Sequence, residues 1–191
     1  IMNWMTNGDI SAPQVALSAQ VVVNCEAGGS CNGGQPASVY RFAKSHGIPH
    51  SSCEQYIAHN VEKSKDVCSD FNVCRDCKVP PPSINETGFD NCWAVDYKHY
   101  YVSGYRSVSG ATNMKKELAT HGPIGCGVSV TDKFEAYTGG IYSEWAFFPS
   151  INHEISVVGY GVAEDGTEYW IGRNSWGTYW GEQGFFRMKM H

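Results

Sequence analysis

The sequence contains no apolar run of the roughly 18 residues that a membrane-spanning helix needs. It has no cluster of Lys and Arg, and its formal net charge is −5. It therefore lacks the basic surface of proteins that bind nucleic acids or anionic membranes. Internal repeats and low-complexity tracts are also missing. Residues 1–5 have no signal-peptide pattern, so we expect any targeting segment to lie outside this sequence.

The 191 residues are 42% hydrophobic, which is enough for one compact domain, or for two closely packed halves around a real core. Eight cysteines, five of them between Cys53 and Cys92, are more than a cytosolic protein of this size usually contains. The sequence has one N-glycosylation sequon, at Asn85. Together these features predict an oxidising environment, either lysosomal or extracellular.

Hydrophobic spacing predicts three helices, at residues 11–24, 35–45 and 113–121, the first with Ser11 and Pro13 in its opening turn. Aromatic and β-branched residues predict five strands, at 97–108, 124–130, 151–162, 168–173 and 184–189. Helices followed by a mostly antiparallel sheet indicate an α+β fold. We expect a single domain, with a helical half in residues 1–96 and a mostly β half in residues 97–191.

Residues 47–96 show no sustained periodicity and include three consecutive prolines, at residues 80–82. A segment of this length argues against a compact domain unless cross-links close it. Disulfides are the expected closure, each contributing about 2–4 kcal/mol. The spacing Cys74-x2-Cys77 also suits a zinc site, but the neighbouring cysteines favour disulfides. We expect no metal and no cofactor.

His153 opens an apolar run, and Asn174, twenty-one positions later, directly follows a second predicted strand. A histidine in this position can act as a general base, and an asparagine on a neighbouring strand can hold its ring in one orientation. The plain alternative is an ordinary histidine at the start of a strand. The specific residues around both positions favour the catalytic interpretation.

Several motifs in sequence order together resemble the papain-like cysteine peptidases, and most closely their cathepsin X (or Z) branch. The similarity runs from about residue 17 to residue 189. Its motifs are Leu-Ser-x-Gln followed by Cys31-Asn32-Gly33-Gly34, then Tyr137-Thr138-Gly139-Gly140-Ile141-Tyr142, Asn152-His153-x5-Gly159-Tyr160-Gly161, and Arg173-Asn174-Ser175-Trp176-Gly177-x2-Trp180-Gly181. Each motif alone is weak, but their common order is hard to obtain by chance.

The resemblance implies a papain-like fold, with a helical half packed against the β half and a disulfide-rich insertion. It implies peptide-bond hydrolysis by thiolate attack, with His153 as catalytic base, Asn174 as the residue that orients it, and Trp176 as a shield for their hydrogen bond. The carboxypeptidase activity of the cathepsin X branch is the expected specificity. Peptide or protein substrates are the expected partners, and the implied substrate contacts are Gly33, Gly34, Asn152 and Trp180.

The family places its nucleophile in a Cys-Gly-Ser-Cys-Trp segment, which these 191 residues do not contain. The cathepsin X loop that binds the substrate's C-terminal carboxylate is also absent. We therefore expect an incomplete chain that is inactive alone, with the nucleophile on a missing segment or a second chain. A non-catalytic relative with a structural or binding role is the alternative. A disulfide-rich adhesion domain of other ancestry is a third possibility, against which the His/Asn/Trp pattern speaks.

The resemblance also implies how the cysteines pair: Cys25–Cys68, Cys53–Cys74 and Cys77–Cys92. It leaves Cys31 and Cys126 for partners outside this sequence. A different interpretation makes Cys31 the nucleophile and Gln20 the oxyanion donor. It is disfavoured because Cys31 does not precede a helix that would lower its pKa, and because Gln20 lies inside a predicted helix.

Overall fold

The computed structural model describes residues 15–57, 67–77, 92–145 and 149–190. These residues form two compact units, one within Pro13–Arg106 and the other within Ser107–His191. The first unit therefore extends to residue 106, rather than to residue 96. No helix in the described ranges is long and apolar enough to cross a membrane. Asn85 lies outside the described residues.

In its described part, the first unit consists of short helices and two small antiparallel sheets, β1 with β2 and β3 with β4. Its elements are α1 (Ala19–Asn24), β1 (Gly29–Ser30), β2 (Gly33–Gly34), α2 (Pro36–Ser45), α3 (Asp70–Val73), β3 (Arg75–Cys77) and β4 (Cys92–Ala94).

Helix α1 is shorter than the sequence predicts, because the residues just before it are extended. Leu17 forms an isolated antiparallel bridge with His50. Ser18 is the N-cap, and its hydroxyl accepts a hydrogen bond from the Val21 amide at 3.1 Å. The predicted helix start at residues 11–14 lies outside the described residues. Its continuation up to Ser18 is wrong, because the helix begins at the first good capping residue before the apolar run.

Helix α2 confirms the helix predicted at residues 35–45. Gln35 is its N-cap, and His46 is its C-cap. Gly47 follows with φ of 75°, a conformation that favours glycine. A Cβ at this position would also lie 2.8 Å from the His99 Cβ, so close packing requires glycine here too.

Buried polar side chains tie α1 to the segment around Glu54. Gln20, only 2% exposed, donates to Asn24 Oδ1 at 2.8 Å and accepts from the Ile57 amide at 3.0 Å. Asn24 in turn donates to the Glu54 carboxylate at 2.6 Å, while the Ser18 hydroxyl donates to the Glu54 carbonyl at 2.7 Å. Burial raises the pKa of Glu54 above its usual value. Both polar atoms of the Gln20 side chain are thus already hydrogen-bonded within this unit.

The disulfides of the first unit have the pairing that the family resemblance implies. They close sequence separations of 43, 21 and 15 residues. The bonded pairs are Cys25–Cys68, Cys53–Cys74 and Cys77–Cys92. The two cysteines of the zinc alternative therefore belong to two different disulfides.

The second unit is built on a five-stranded sheet of order β5-β7-β8-β9-β6. Neighbouring strands are antiparallel except for the parallel pair β6 and β9. The α+β class is therefore confirmed, and so are the helix and four strands predicted between residues 113 and 189. The elements of this unit are α4 (Ala111–His121), β5 (Ile124–Val128), α5 (Asp132–Glu135), β6 (Ile141–Tyr142), β7 (His153–Val162), β8 (Glu168–Arg173) and β9 (Phe185–Lys189).

The strand predicted at residues 97–108 is wrong. In this segment Tyr100 forms an isolated bridge with Ile48, and no continuous strand is present. The ring of His99 lies 4.3 Å from that of Tyr97, in a tilted arrangement, and 5.9 Å from that of Tyr101, in a stacked one. The alternation of aromatic residues here places their side chains in contact within one extended segment, and it does not produce hydrogen bonding between two strands.

An aromatic core lies beside the sheet of the second unit, and Phe134 is at its centre. Phe134 is 0% exposed, and its ring lies 5.0 to 5.2 Å from the rings of Phe186, Trp180 and Tyr142. Tyr137 completes the buried cluster. Because Phe134 lies on the short helix α5, the position of this helix fixes the centre of the core.

We expect Phe134→Ala to lower the free energy of unfolding by about 3–5 kcal/mol, because it leaves a cavity among aromatic rings. Tyr179→Ala is the matched control, since Tyr179 is 88% exposed in the same unit. The control should change stability by less than about 0.5 kcal/mol. Urea denaturation followed by circular dichroism measures both values. Equal stability of the two variants would contradict the central role of Phe134.

Candidate active site

His153 and Asn174 are joined by a hydrogen bond between neighbouring strands. His153 is the first residue of β7, and Asn174 directly follows β8. The distance from His153 Nε2 to Asn174 Oδ1 is 2.8 Å. The amide of Ser175 donates to the same oxygen at 2.8 Å. Since a carboxamide oxygen only accepts, His153 carries a proton on Nε2, and its Nδ1 is left for another group.

The register of β7 and β8 places these two side chains on the same face of the sheet. Ser156 pairs with Arg173 at the end of the ladder, so the next position in this register sets Asn174 opposite Ile155. Ile155 and His153 are two residues apart on one strand, and their side chains therefore point to the same face. Asn174 is thus a diagonal neighbour of the imidazole, within reach for a hydrogen bond.

This register depends on a β-bulge at Val158. On the far side of the bulge Gly159 pairs with Ile171, which is a register one residue different from the near side. If that outer register continued, Asn174 would lie opposite Ser156, whose side chain points away from the imidazole. A shift of one residue exchanges the two faces of a strand. The unpaired Val158 is therefore necessary for the contact between histidine and asparagine.

Trp176 covers the imidazole and connects it to the aromatic core. Its ring lies 5.1 Å from that of His153, tilted by 31°. The rings of Trp180 and Phe134 lie 5.1 and 6.1 Å from Trp176 in edge-on arrangements. Asn174 is only 8% exposed. The hydrogen bond to the imidazole is therefore sheltered on one side by an indole that is itself held by the core.

Trp180 lies deeper than a substrate contact requires. Its side chain is 6% exposed, and its Nε1 donates to the Glu135 carbonyl at 2.8 Å. Little of its surface is available to a ligand in this conformation. Its evident structural role is to anchor α5 and support Trp176.

The Asn152 side chain binds the backbone of Val130. Its Oδ1 accepts from the Val130 amide at 2.8 Å, and its Nδ2 donates to the Val130 carbonyl at 3.1 Å. The Asn152 amide group thus continues the pairing of β5 and β7 beyond the end of the ladder, which closes with Val128 and His153. Both polar atoms that a substrate could use are already bonded.

Glu182 and Arg187 form an ion pair that supports the loop after Trp180. The guanidinium is hydrogen-bonded to both carboxylate oxygens, and the Gly140 amide donates to the same carboxylate at 3.1 Å. The Arg187 hydrogen bonds keep the pKa of Glu182 below its usual value, and the Glu182 carboxylate raises the pKa of Arg187. This pair connects the turn at Gly140 to β9.

A sequence comparison identifies the family. The sequence model described as papain family cysteine protease matches residues 3–191. The chain belongs to the papain family of cysteine proteases. The pair of His153 and Asn174, with Trp176 above it, lies in the motifs that the family resemblance singles out.

Individual papain-family relatives support the same placement. Cathepsin Z of Onchocerca volvulus is 45% identical over 178 residues, which cover 92% of this chain and 53% of that protein. ProCathepsin B S9 from Trypanosoma congolense has a TM-score of 0.71 at 26% identity, covering 95% of this chain and 56% of that chain. Bromelain from Ananas comosus, solved in complex with the E64 inhibitor, has a TM-score of 0.67 at 27% identity, covering 93% and 70%. This chain therefore spans about half the length of the curated relative.

Two cysteines of this papain-family chain are free thiols, Cys31 and Cys126. Cys126 lies on β5 opposite Ile155 and is partly buried. Burial, followed by the nearby Glu154, raises the pKa of its thiol, which disfavours the thiolate that a nucleophile needs. Cys31 is exposed and follows β1 of the first unit.

The proposed substrate glycines form the short strand β2. Gly33 and Gly34 are exposed, and Gly33 has φ of 118°, which favours glycine. No atom lies within 4 Å of the position that a Cβ on Gly33 would take. This open backbone is suited to a close approach by an extended peptide. No cluster of His, Cys, Asp or Glu able to hold a metal occurs in the described part of the chain.

The sequence interpretation missed Thr131, which caps α5. Its hydroxyl accepts from the Phe134 amide at 3.3 Å. The signal is present in the sequence, because Thr131 followed by Asp132 is typical of a helix start. It was hidden by the shortness of the helix, which is only four residues long.

We expect Asn152→Ala to accelerate hydrogen exchange at the Val130 amide, because that N–H loses its acceptor. One net hydrogen bond is worth about 1 kcal/mol, which corresponds to roughly fivefold faster exchange. Asn152→Asp is the matched variant, since it keeps an acceptor oxygen and should retain the protection. The exchange rate is measured by NMR. Unchanged exchange in the alanine variant would show that Asn152 does not hold this backbone.

Proposed function

We propose that the protein hydrolyses peptide bonds as a cysteine peptidase, with His153 as the proton-transferring base and acid. The observation that carries this proposal is the 2.8 Å hydrogen bond from His153 Nε2 to Asn174 Oδ1, in a chain of the papain family. It leaves Nδ1 as the nitrogen that exchanges a proton. The neutral amide of Asn174 orients the ring without adding a charge.

In the proposed reaction, His153 Nδ1 takes the proton from a cysteine thiol. The thiolate attacks the substrate carbonyl carbon, and the imidazolium returns the proton to the leaving amine as the C–N bond breaks. Nδ1 then takes a proton from water, whose oxygen attacks the acyl carbon. The C–S bond breaks, the carboxylic acid is released, and the sulfur leaves as a thiolate beside the imidazolium, which is the state that attacks the next substrate. Nε2–H remains bonded to Asn174 throughout, and Trp176 limits access of water to this bond.

We infer that the nucleophilic cysteine belongs to a segment or chain outside these 191 residues. Six of the eight cysteines are in disulfides. Cys126 has a raised pKa, and Cys31 lies in a β-hairpin rather than at the start of a helix. A raised pKa disfavours the thiolate, and a hairpin position gives Cys31 no helix N-terminus to stabilise one, whereas thiolate chemistry at neutral or acid pH requires such stabilisation.

Carboxypeptidase specificity is the finer proposal, and the 45% identity to cathepsin Z of Onchocerca volvulus supports it. Gly33 and Gly34 offer backbone for pairing with an extended peptide, while Asn152 and Trp180 are proposed to line the leaving-group side. Trp180 is buried and Asn152 is bonded to Val130. We therefore expect these two residues to contribute to the shape of the site and not to form side-chain hydrogen bonds with the substrate. The disulfides favour a lysosomal or extracellular location.

His153→Ala in the full-length protein should lower kcat/KM by at least about 100-fold, which is the lower range for loss of a general base. It should also abolish labelling by a thiol-directed epoxide. His121→Ala, at the exposed end of α4, is the matched control and should leave both unchanged. Peptide hydrolysis and mass spectrometry of the labelled protein are the measurements.

The position of the label separates the competing possibilities. A labelled cysteine outside residues 1–191 would support the proposal. A label on Cys31 or Cys126 would refute the assignment of the nucleophile. Absence of label and of peptide hydrolysis in the wild-type protein would instead favour the non-catalytic relative with a binding role.

Two peptides of one sequence, one with a free C-terminal carboxylate and the other amidated, test the specificity. A carboxypeptidase should release single C-terminal residues and cleave the amidated peptide at least about tenfold more slowly, because a paired charge is worth roughly 2–5 kcal/mol. Product masses over time distinguish the modes of cleavage. Internal cleavage at equal rates would indicate an endopeptidase.

A further inference from the structure

Glu144 joins two segments of the second unit through one oxygen atom. Its Oε2 accepts hydrogen bonds from the Thr131 hydroxyl, at 2.6 Å, and from the Tyr142 hydroxyl. Lys133 donates to the neighbouring Ser143 carbonyl at 3.0 Å. The hydrogen bond from Thr131 and then that from Tyr142 lower the pKa of Glu144, so the acceptor is ionised near neutral pH. The chain after β6 is thereby fastened to the start of α5.

Thr131 connects Glu144 to two parts of the structure near His153, which are the start of α5 and the backbone at Val130. Its hydroxyl caps α5 by accepting from the Phe134 amide. Val130, the preceding residue, is held by both polar atoms of the Asn152 side chain. Asn152 is the residue directly before His153. Thr131 is therefore connected, through Val130 and Asn152, to the backbone that carries the imidazole.

The second route from Glu144 to the site runs through the aromatic rings. Phe134 is part of α5, so the position of its ring depends on the position of this helix. The ring packs edge-on against Trp176 at 6.1 Å. Trp176 in turn covers the His153 ring at 5.1 Å. Tyr142, the other donor to Glu144, contacts Phe134 at 5.2 Å. Both donors thus touch the helix whose phenylalanine supports the indole above the base.

We propose that Glu144 is a positioning residue for His153, acting through Thr131 and Tyr142 on the helix α5 and the Trp176 indole. It makes no contact with His153 itself among the described residues. As a role in catalysis, this proposal rests on the proposed peptidase function. Glu144 is exposed, so its effect is expected on the geometry of the site more than on the stability of the fold.

The test compares three variants in the full-length protein. Glu144→Ala removes the acceptor, while Glu144→Gln keeps one carbonyl oxygen, which is enough because both donors use a single oxygen. Glu164→Ala is the control, because it removes another exposed carboxylate of the same unit, in the turn between β7 and β8. Active sites are counted by epoxide titration, so that kcat refers to folded and reactive enzyme only.

We expect Glu144→Ala to lower kcat on the order of fivefold with KM changed less than about twofold, because small misplacements of a catalytic group reduce the rate of the chemical step. Glu144→Gln and Glu164→Ala should remain within about twofold of the wild type. A kcat equal in the alanine variant and the Glu164→Ala control would overturn the proposal. So would a Glu144→Gln variant as impaired as Glu144→Ala.

A second readout does not require peptidase activity. The NMR resonances of the His153 ring protons sense the ring current of Trp176, so they should shift in Glu144→Ala and coincide with the wild type in the other two variants. Coincidence in all variants would refute the positioning role. If the wild-type protein proves inactive and unlabelled, the peptidase proposal fails, and these resonances alone decide whether Glu144 positions the imidazole.

Discussion

The pairing of β7 with β8 is the constraint on which the site depends. It carries His153 at the start of one strand and Asn174 at the end of the other, and a single unpaired residue, Val158, sets them on the same face. Lengthening or shortening β7 by one residue between the bulge and His153 would point the imidazole to the other side. Changes in the hairpin tip between the two strands lie beyond the bulge and leave the inner register intact.

Packing behind the sheet keeps this geometry stable. The aromatic rings around Phe134 pack in edge-on and tilted arrangements, and Trp176 extends the cluster to the surface above the imidazole. Aromatic pairs of this kind add about 0.5–1.5 kcal/mol each beyond the area that they bury. Since the indole is fixed by the core, the shelter over the hydrogen bond does not depend on a mobile side chain. The imidazole of His153 is therefore held by the sheet register on one side and by the core on the other.

Long elements with strong periodicity were predictable from the sequence. The strand at residues 168–173 and the helix at 35–45 appear close to the predicted positions. Alternating aromatic residues at 97–101 suggested a strand, but their rings contact each other along the same segment and no strand is formed. Short elements such as α5 were not predicted, because four residues are too few to show a hydrophobic period.

The sequence motifs locate the residues of the candidate site, but they do not indicate which residues hold those side chains in place. His153, Asn174 and Trp176 lie in motifs that a resemblance can locate. The bulge at Val158 cannot be read from hydrophobic pattern, because register depends on which backbone groups pair across the sheet. The carboxylate of Glu144 has no sequence signature either, since its partners are thirteen and two residues away and are fixed only by the fold.

The disulfides are distributed unequally between the two units. All three join cysteines of Pro13–Arg106, whereas the described part of the second unit contains only the thiol of Cys126. A reductant strong enough to keep a peptidase thiol reduced would therefore act on the covalent restraints of the first unit, worth about 2–4 kcal/mol each. The sheet that carries the imidazole has no such bond to lose in its described residues. Loss of the disulfides would thus weaken the first unit directly and would make no covalent change in the described sheet of the second unit.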